Sequence, residues 1–104
     1  METTQRGGNA GEPLAVKVSG EVDVSNASEL RTSLDEAIAG GARTVVADLS
    51  EVSYMDSTGI GVLVGVARKA AEEGVAFSVA HPQRNVARVF DLLGVADELK
   101  VDRS

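Results

Sequence analysis

The chain has 104 residues, ten basic against sixteen acidic side chains, a net charge of −6, no cysteine and only 3% aromatic residues. That length suits one domain, able to bury roughly two-thirds of the surface its unfolded form exposes, which is enough for a core without staples. The lack of cysteine excludes disulfides and cysteine-ligated metal sites, and an acidic, aromatic-poor chain lacks the basic footprint and stacking platforms of a nucleic-acid binder.

Residues 1–13 carry three glycines and a proline and read as a flexible tail or a weak edge strand, with METTQR as the strand segment. They lack the apolar region of a signal peptide, and no stretch of the chain reaches membrane-spanning length. A soluble cytoplasmic protein with no membrane partner is expected. LAVKVS, 14–19, places Leu14, Val16 and Val18 on one face, which is a strand pattern. Gly20-Glu21-Val22-Asp23 follow it. Asn26 with Glu29 three residues on predicts a capping box, and Ala27, Leu30, Leu34 and Ile38 recur at helical spacing up to Gly40-Gly41. TVVADL, 44–49, is a β-rich run without strict alternation and suits a central strand. Ser50 to Asp56 reads as a loop. Ile60 to about Glu73 predicts a second helix, VAFSVA (75–80) a third strand, and Gln83 to Leu93 a third helix with Val86, Val89, Phe90 and Leu93 on one face. Leu99-Lys100-Val101 is a candidate edge strand. Alternating strands and helices predict an α/β layer fold with parallel central strands and right-handed crossovers, and the whole chain, 1–104, is expected to form a single domain.

One junction concentrates the chemistry: YMDSTGIGVLV, 54–64. Asp56, Ser57 and Thr58 stand where a central strand hands over to a helix, and ligands gather beyond the carboxyl ends of such strands. If the strand before Asp23 runs parallel to TVVADL, Asp23 and Asp56 leave the sheet on the same side. One of the three polar residues serves as helix cap. A cap does not explain Gly59, since glycine inside a helix costs about 1 kcal/mol relative to alanine. Close packing on the sheet or close approach of a partner would offset that cost. Gly59, Gly61 and Gly65 miss the dinucleotide-binding spacing by one residue, and no lysine–hydroxyl pair makes a phosphate loop. Met55, two before Ser57, is not the glycine of a nucleophile elbow, and the one histidine, His81, precedes a proline. No catalytic residue, metal ligand or cofactor site is assigned. Asp48, near a strand end, lacks the paired acids of a receiver-type phosphoacceptor. Ser57 remains as a substrate for phosphorylation, which adds about −1.5 to −2 charges.

Gly20-Glu21-Val22-Asp23 after a strand, then VVADLSEVSYMDSTGIGVL, a strand, and NVARVFDLLGV resemble the anti-sigma factor antagonists, small bacterial proteins of the STAS type. The likeness runs from about Leu14 to near the chain's end. It implies a STAS-type fold, a small mixed sheet with three to four helices. It implies a non-enzymatic switch: the unphosphorylated form binds an anti-sigma factor and releases a sigma factor. The anti-sigma factor, a serine kinase, phosphorylates Ser57, and a PP2C-type phosphatase reverses this. Asp56 matches the acid before the phosphoacceptor and Asp23 the acid of the neighbouring loop, while Thr58 stands where many members have serine. Asp23, Asp56, Thr58, Gly59 and Ile60 are the expected partner-binding residues, in a monomer or weak dimer. The alternative is a STAS-type scaffold or sensor module in a larger complex without sigma-factor control.

Overall fold

The computed structural model describes residues 1–103. Four strands, β1 (Glu2–Gly7), β2 (Leu14–Val22), β3 (Thr44–Met55) and β4 (Ala76–Ala80), form one sheet in the order β1-β2-β3-β4. β1 pairs antiparallel with β2, and the other neighbours are parallel. The helices α1 (Ala27–Ala39), α2 (Ser57–Glu72) and α3 (Arg84–Leu93) supply the crossovers between parallel strands and the layer after β4, and a short 3-10 turn at Asn9–Gly11 joins β1 to β2.

Side-chain alternation decides which sheet face carries the core. Val16 and Val18 of β2, Val45, Ala47 and Leu49 of β3, and Phe77 and Val79 of β4 are buried, and register places them side by side. Leu30, Leu34 and Ile38 of α1, Leu63, Val66 and Ala70 of α2, and Val86 and Phe90 of α3 close over them as one continuous core. The opposite face, with Ala15, Lys17, Ser19, Val46, Asp48 and Ser78, is only half-buried. There Lys17 and Glu51 form an ion pair of 2.9 Å. On α3 the apolar face is narrower than its sequence pattern suggests: Val89 is half-buried, and Leu93 is 51% exposed.

β3 departs from the sequence reading. Residues 50–55 are strand, not loop. Between the pairs Lys17↔Asp48 and Val22↔Met55, β3 carries two more residues than β2, inserted as two register shifts. The Asp48 carboxylate accepts the Ser50 N–H at 2.9 Å beside the first of them. Bulges of this kind break the two-residue alternation. Leu49, Val52 and Met55 are therefore the buried positions, three apart. β4 reaches only as far as Asp48. Beyond it, two side-chain amides near the start of α3 cover carbonyls of β3. Gln83 Nε2 donates to Ser50 C=O at 3.0 Å and Asn85 Nδ2 to Ser53 C=O at 2.8 Å.

The expected edge strand at 99–101 is a single parallel bridge instead, Ala80↔Asp102. The turn over 96–100, with Lys100 at φ 50°, brings Leu99 into the core before the chain can run extended.

Candidate functional site

Val22 and Met55, the last residues of β2 and β3, are register partners. Asp23 and Asp56 therefore leave the sheet at one edge, and the Asp56 N–H donates to Val22 C=O at 3.2 Å, tying the two loops together.

Asp56 caps α2. Its extended backbone (φ −91°, ψ −178°) turns the carboxylate back over the helix start, where Oδ1 accepts the N–H groups of Thr58 at 3.0 Å and Gly59 at 3.1 Å. Its carbonyl accepts the Ile60 N–H at 3.1 Å. With the cap supplied by Asp56, neither hydroxyl is needed for it. Ser57 is the first residue of the helix and is exposed, as is Thr58. Neither hydroxyl makes a hydrogen bond among the described residues.

Asp23 is organised differently. Its carboxylate accepts both the hydroxyl and the N–H of Ser25, and the Ser25 hydroxyl foremost holds it below the usual carboxylate range. The expected capping box at Asn26 does not form. Asn26 Oδ1 accepts the Asp23 N–H at 3.0 Å, and Nδ2 donates to Glu21 C=O at 2.9 Å. The side chain thus pins the β2–α1 turn and is unavailable to cap α1, whose first turn is held by backbone bonds to Asp23 and Asn26.

Two of the expected partner-binding residues, Gly59 and Ile60, are buried within the chain itself. Ile60 is 2% exposed. Gly59 is buried where the helix crosses the strand ends: a Cβ there would lie 2.8 Å from Val22 Cγ1 and 2.9 Å from Met55 Cγ. Close packing of α2 on the strand ends accounts for glycine at 59. Gly61, where a Cβ would meet nothing within 4 Å, is the exposed one. In exchange, the edge presents two apolar side chains that the sequence reading passed over. Val24, beside Asp23, is 77% exposed and Tyr54, two before Asp56, is 48% exposed. Their signal was an apolar residue between Asp23 and Ser25, and an aromatic two residues before Asp56.

Asp23, Val24, Tyr54, Asp56, Ser57 and Thr58 thus share one edge, which is a surface rather than a cleft. A cavity of about 210 Å³ lined by Ala67, Arg68, Ala71, Val75, Phe77, Glu98 and Lys100 lies toward the other end of α2. His81 follows the end of β4, level with the middle of β3, and so offers no base to Ser57. No cluster of metal-ligating side chains occurs among the described residues, and no helix there is long and apolar enough to cross a membrane.

A mixed four-stranded sheet with a serine-first helix at its carboxyl edge is a surface-presenting α/β module. The family model for the STAS domain matches residues 1–104. An anti-sigma-B factor antagonist of Bacillus subtilis (strain 168) is 34% identical over 88 residues, covering 85% of this chain and 80% of the relative. The crystal structure of an anti-sigma factor antagonist from Mycobacterium paratuberculosis superposes with a TM-score of 0.87 at 25% identity, over 99% of this chain and 86% of that one. The anti-sigma factor antagonist SpoIIAA in its unphosphorylated form shares the fold, with a TM-score of 0.78 at 21% identity, over 96% and 87% of the two chains. The chain belongs to the anti-sigma factor antagonist family of STAS domains.

Proposed function

We propose that this chain is an anti-sigma factor antagonist that phosphorylation of Ser57 switches off. Its unphosphorylated edge binds an anti-sigma factor and so releases a sigma factor. The observation that carries this reading is the free, exposed Ser57 hydroxyl at the start of a helix that Asp56 already caps. The partner is an anti-sigma factor with serine kinase activity. In its step the Ser57 Oγ–phosphorus bond forms as the bond from the γ-phosphorus of ATP to its bridging oxygen breaks. ADP leaves, and the hydroxyl proton passes to a base of the kinase. A PP2C-type phosphatase returns the hydroxyl by hydrolysis.

The geometry gives this modification a direction. Free N–H groups at a helix start attract phosphate. Here the N–H groups of Thr58 and Gly59 are already held by Asp56. A phosphate on Ser57 therefore stays on the surface, next to Asp56 and near Asp23, and deepens an acidic edge. The fold is spared, and the docking partner meets bulk, negative charge and a desolvation cost. Val24 and Tyr54 supply apolar contact, while Asp23 and Thr58 supply polar contact. Ser57→Ala should bind the anti-sigma factor like the unmodified chain and Ser57→Asp much more weakly, with the same thermal stability for both. Equal affinity of the two folded variants, measured by calorimetry, would refute the switch.

A further inference from the structure

β1 ends the sheet, and among the described residues no strand lies beside its outer edge. The only backbone bonds of Glu2–Gly7 within the described chain run to β2. An unpaired strand edge is a template for another strand, and proteins commonly block it with proline, a bulge or an isolated charge. β1 has no proline and pairs with β2 without a register shift. Its charges follow a different pattern. Register with Ser19, Lys17 and Ala15 puts Glu2, Thr4 and Arg6 on the half-buried sheet face. Thr3 faces the helices, where its hydroxyl shares a 2.9 Å hydrogen bond with Ser33 of α1. Glu2 and Arg6 are exposed, and neither has an ion-pair partner among the described residues.

We infer that β1 is a homodimer interface, pairing antiparallel with β1 of a second copy about a twofold axis through Thr4. The charges select that register. Antiparallel self-pairing must match faces, because a one-residue slip moves every side chain to the wrong side. Centres at Thr3, Thr4 or Gln5 all satisfy this. Only the Thr4 centre sets Glu2 opposite Arg6 of the second copy, twice by symmetry. Each of the other two centres sets one of those charges opposite Thr4 and leaves the Glu2–Arg6 pair unmade. Opposite charges directly across an antiparallel pair stabilise it, and Thr3 meets Gln5 of the second copy on the helix side. The result is a continuous eight-stranded sheet. Because the axis stands perpendicular to the sheet, the carboxyl ends of β2 and β3 point outward at opposite ends. Both Ser57 edges stay accessible.

The chain has no cysteine, so single substitutions report the register directly. A disulfide needs Cβ atoms about 3.5–4.5 Å apart, within reach of directly opposed residues but not of diagonal ones about 7–8 Å apart. Under mild oxidation of concentrated protein, Thr4→Cys should form a covalent dimer several-fold faster than Gln5→Cys or the exposed α1 control Thr32→Cys. A mixture of Glu2→Cys and Arg6→Cys should give predominantly the mixed dimer. Arg6→Glu added to Thr4→Cys should slow cross-linking, and Glu2→Arg added as well should restore it. All these sites are at the surface, and circular dichroism checks each fold. Cross-linking of Thr4→Cys no faster than Thr32→Cys, or a faster Gln5→Cys, overturns the inference.

Discussion

Gly59 and Gly61 sit two residues apart in one helix, yet their substitutions to alanine should move stability in opposite directions. At Gly61 a Cβ enters open space. Alanine there should gain up to about 1 kcal/mol from better helix propensity and a stiffer unfolded chain. At Gly59 the same intrinsic gain meets contacts of 2.8 Å to Val22 Cγ1 and 2.9 Å to Met55 Cγ. Met55 can shift its flexible side chain, but Val22 is β-branched at the end of β2 and stiff. Overpacking of a tight core costs about 1–3 kcal/mol. Gly59→Ala should therefore lose about 1 kcal/mol net, and the two variants should differ by about 2 kcal/mol, or roughly 10 °C in Tm for a domain of this size. Urea denaturation with an unchanged slope is the assay. If Gly59→Ala proved as stable as Gly61→Ala, close packing of α2 on the strand ends would not be the reason for glycine at 59.

Asp56→Ala should destabilise the fold by about 1 kcal/mol through loss of the cap, and hydrogen exchange of the Thr58 and Gly59 amides should speed up; unchanged exchange would count against Asp56 as the cap. The Asp23 carboxyl lies below its ordinary pKa because of Ser25. Its contribution to the order of the turn is therefore complete above the unfolded pKa and lost as pH falls through the lower, folded one. Ser25→Ala should bring the Asp23 carboxyl back up in an NMR titration, so that the turn loosens at a higher pH; no movement would mean that Ser25 is not the cause. Tyr54→Ser should leave stability within about 0.5 kcal/mol, as exposed sites do, while weakening anti-sigma factor binding by about 1 kcal/mol or more, as interface aromatics do. Unaltered affinity by calorimetry would remove Tyr54 from the docking surface.

The residues made much of this legible. Helical spacing in α1, the glycine stop after α3 and the placement of Asp23 and Asp56 at one edge all follow from local pattern plus parallel pairing. What stayed hidden depended on partners distant in sequence. Residues 50–55 read as loop because bulges against β2 space the buried side chains three apart, and a strand is recognised by a spacing of two. Three glycines in α2 could not show which one meets the sheet; only the crossing over Val22 and Met55 decides for Gly59. The same crossing buries Ile60, which the sequence placed only among the expected partner-binding residues. Asn26 matched a capping signature, but the bonds it makes to Asp23 and Glu21 belong to a turn that exists only once β2 ends there.

The central claim is that Ser57 is the residue modified. Intact mass with site mapping tests it, on the protein incubated with ATP and an extract of its own cells, beside Ser57→Ala. One added phosphate, mapped to Ser57 and absent from the variant, is the expected result. A phosphate on Thr58 instead, or none from an extract whose kinases are shown to be active, would contradict it.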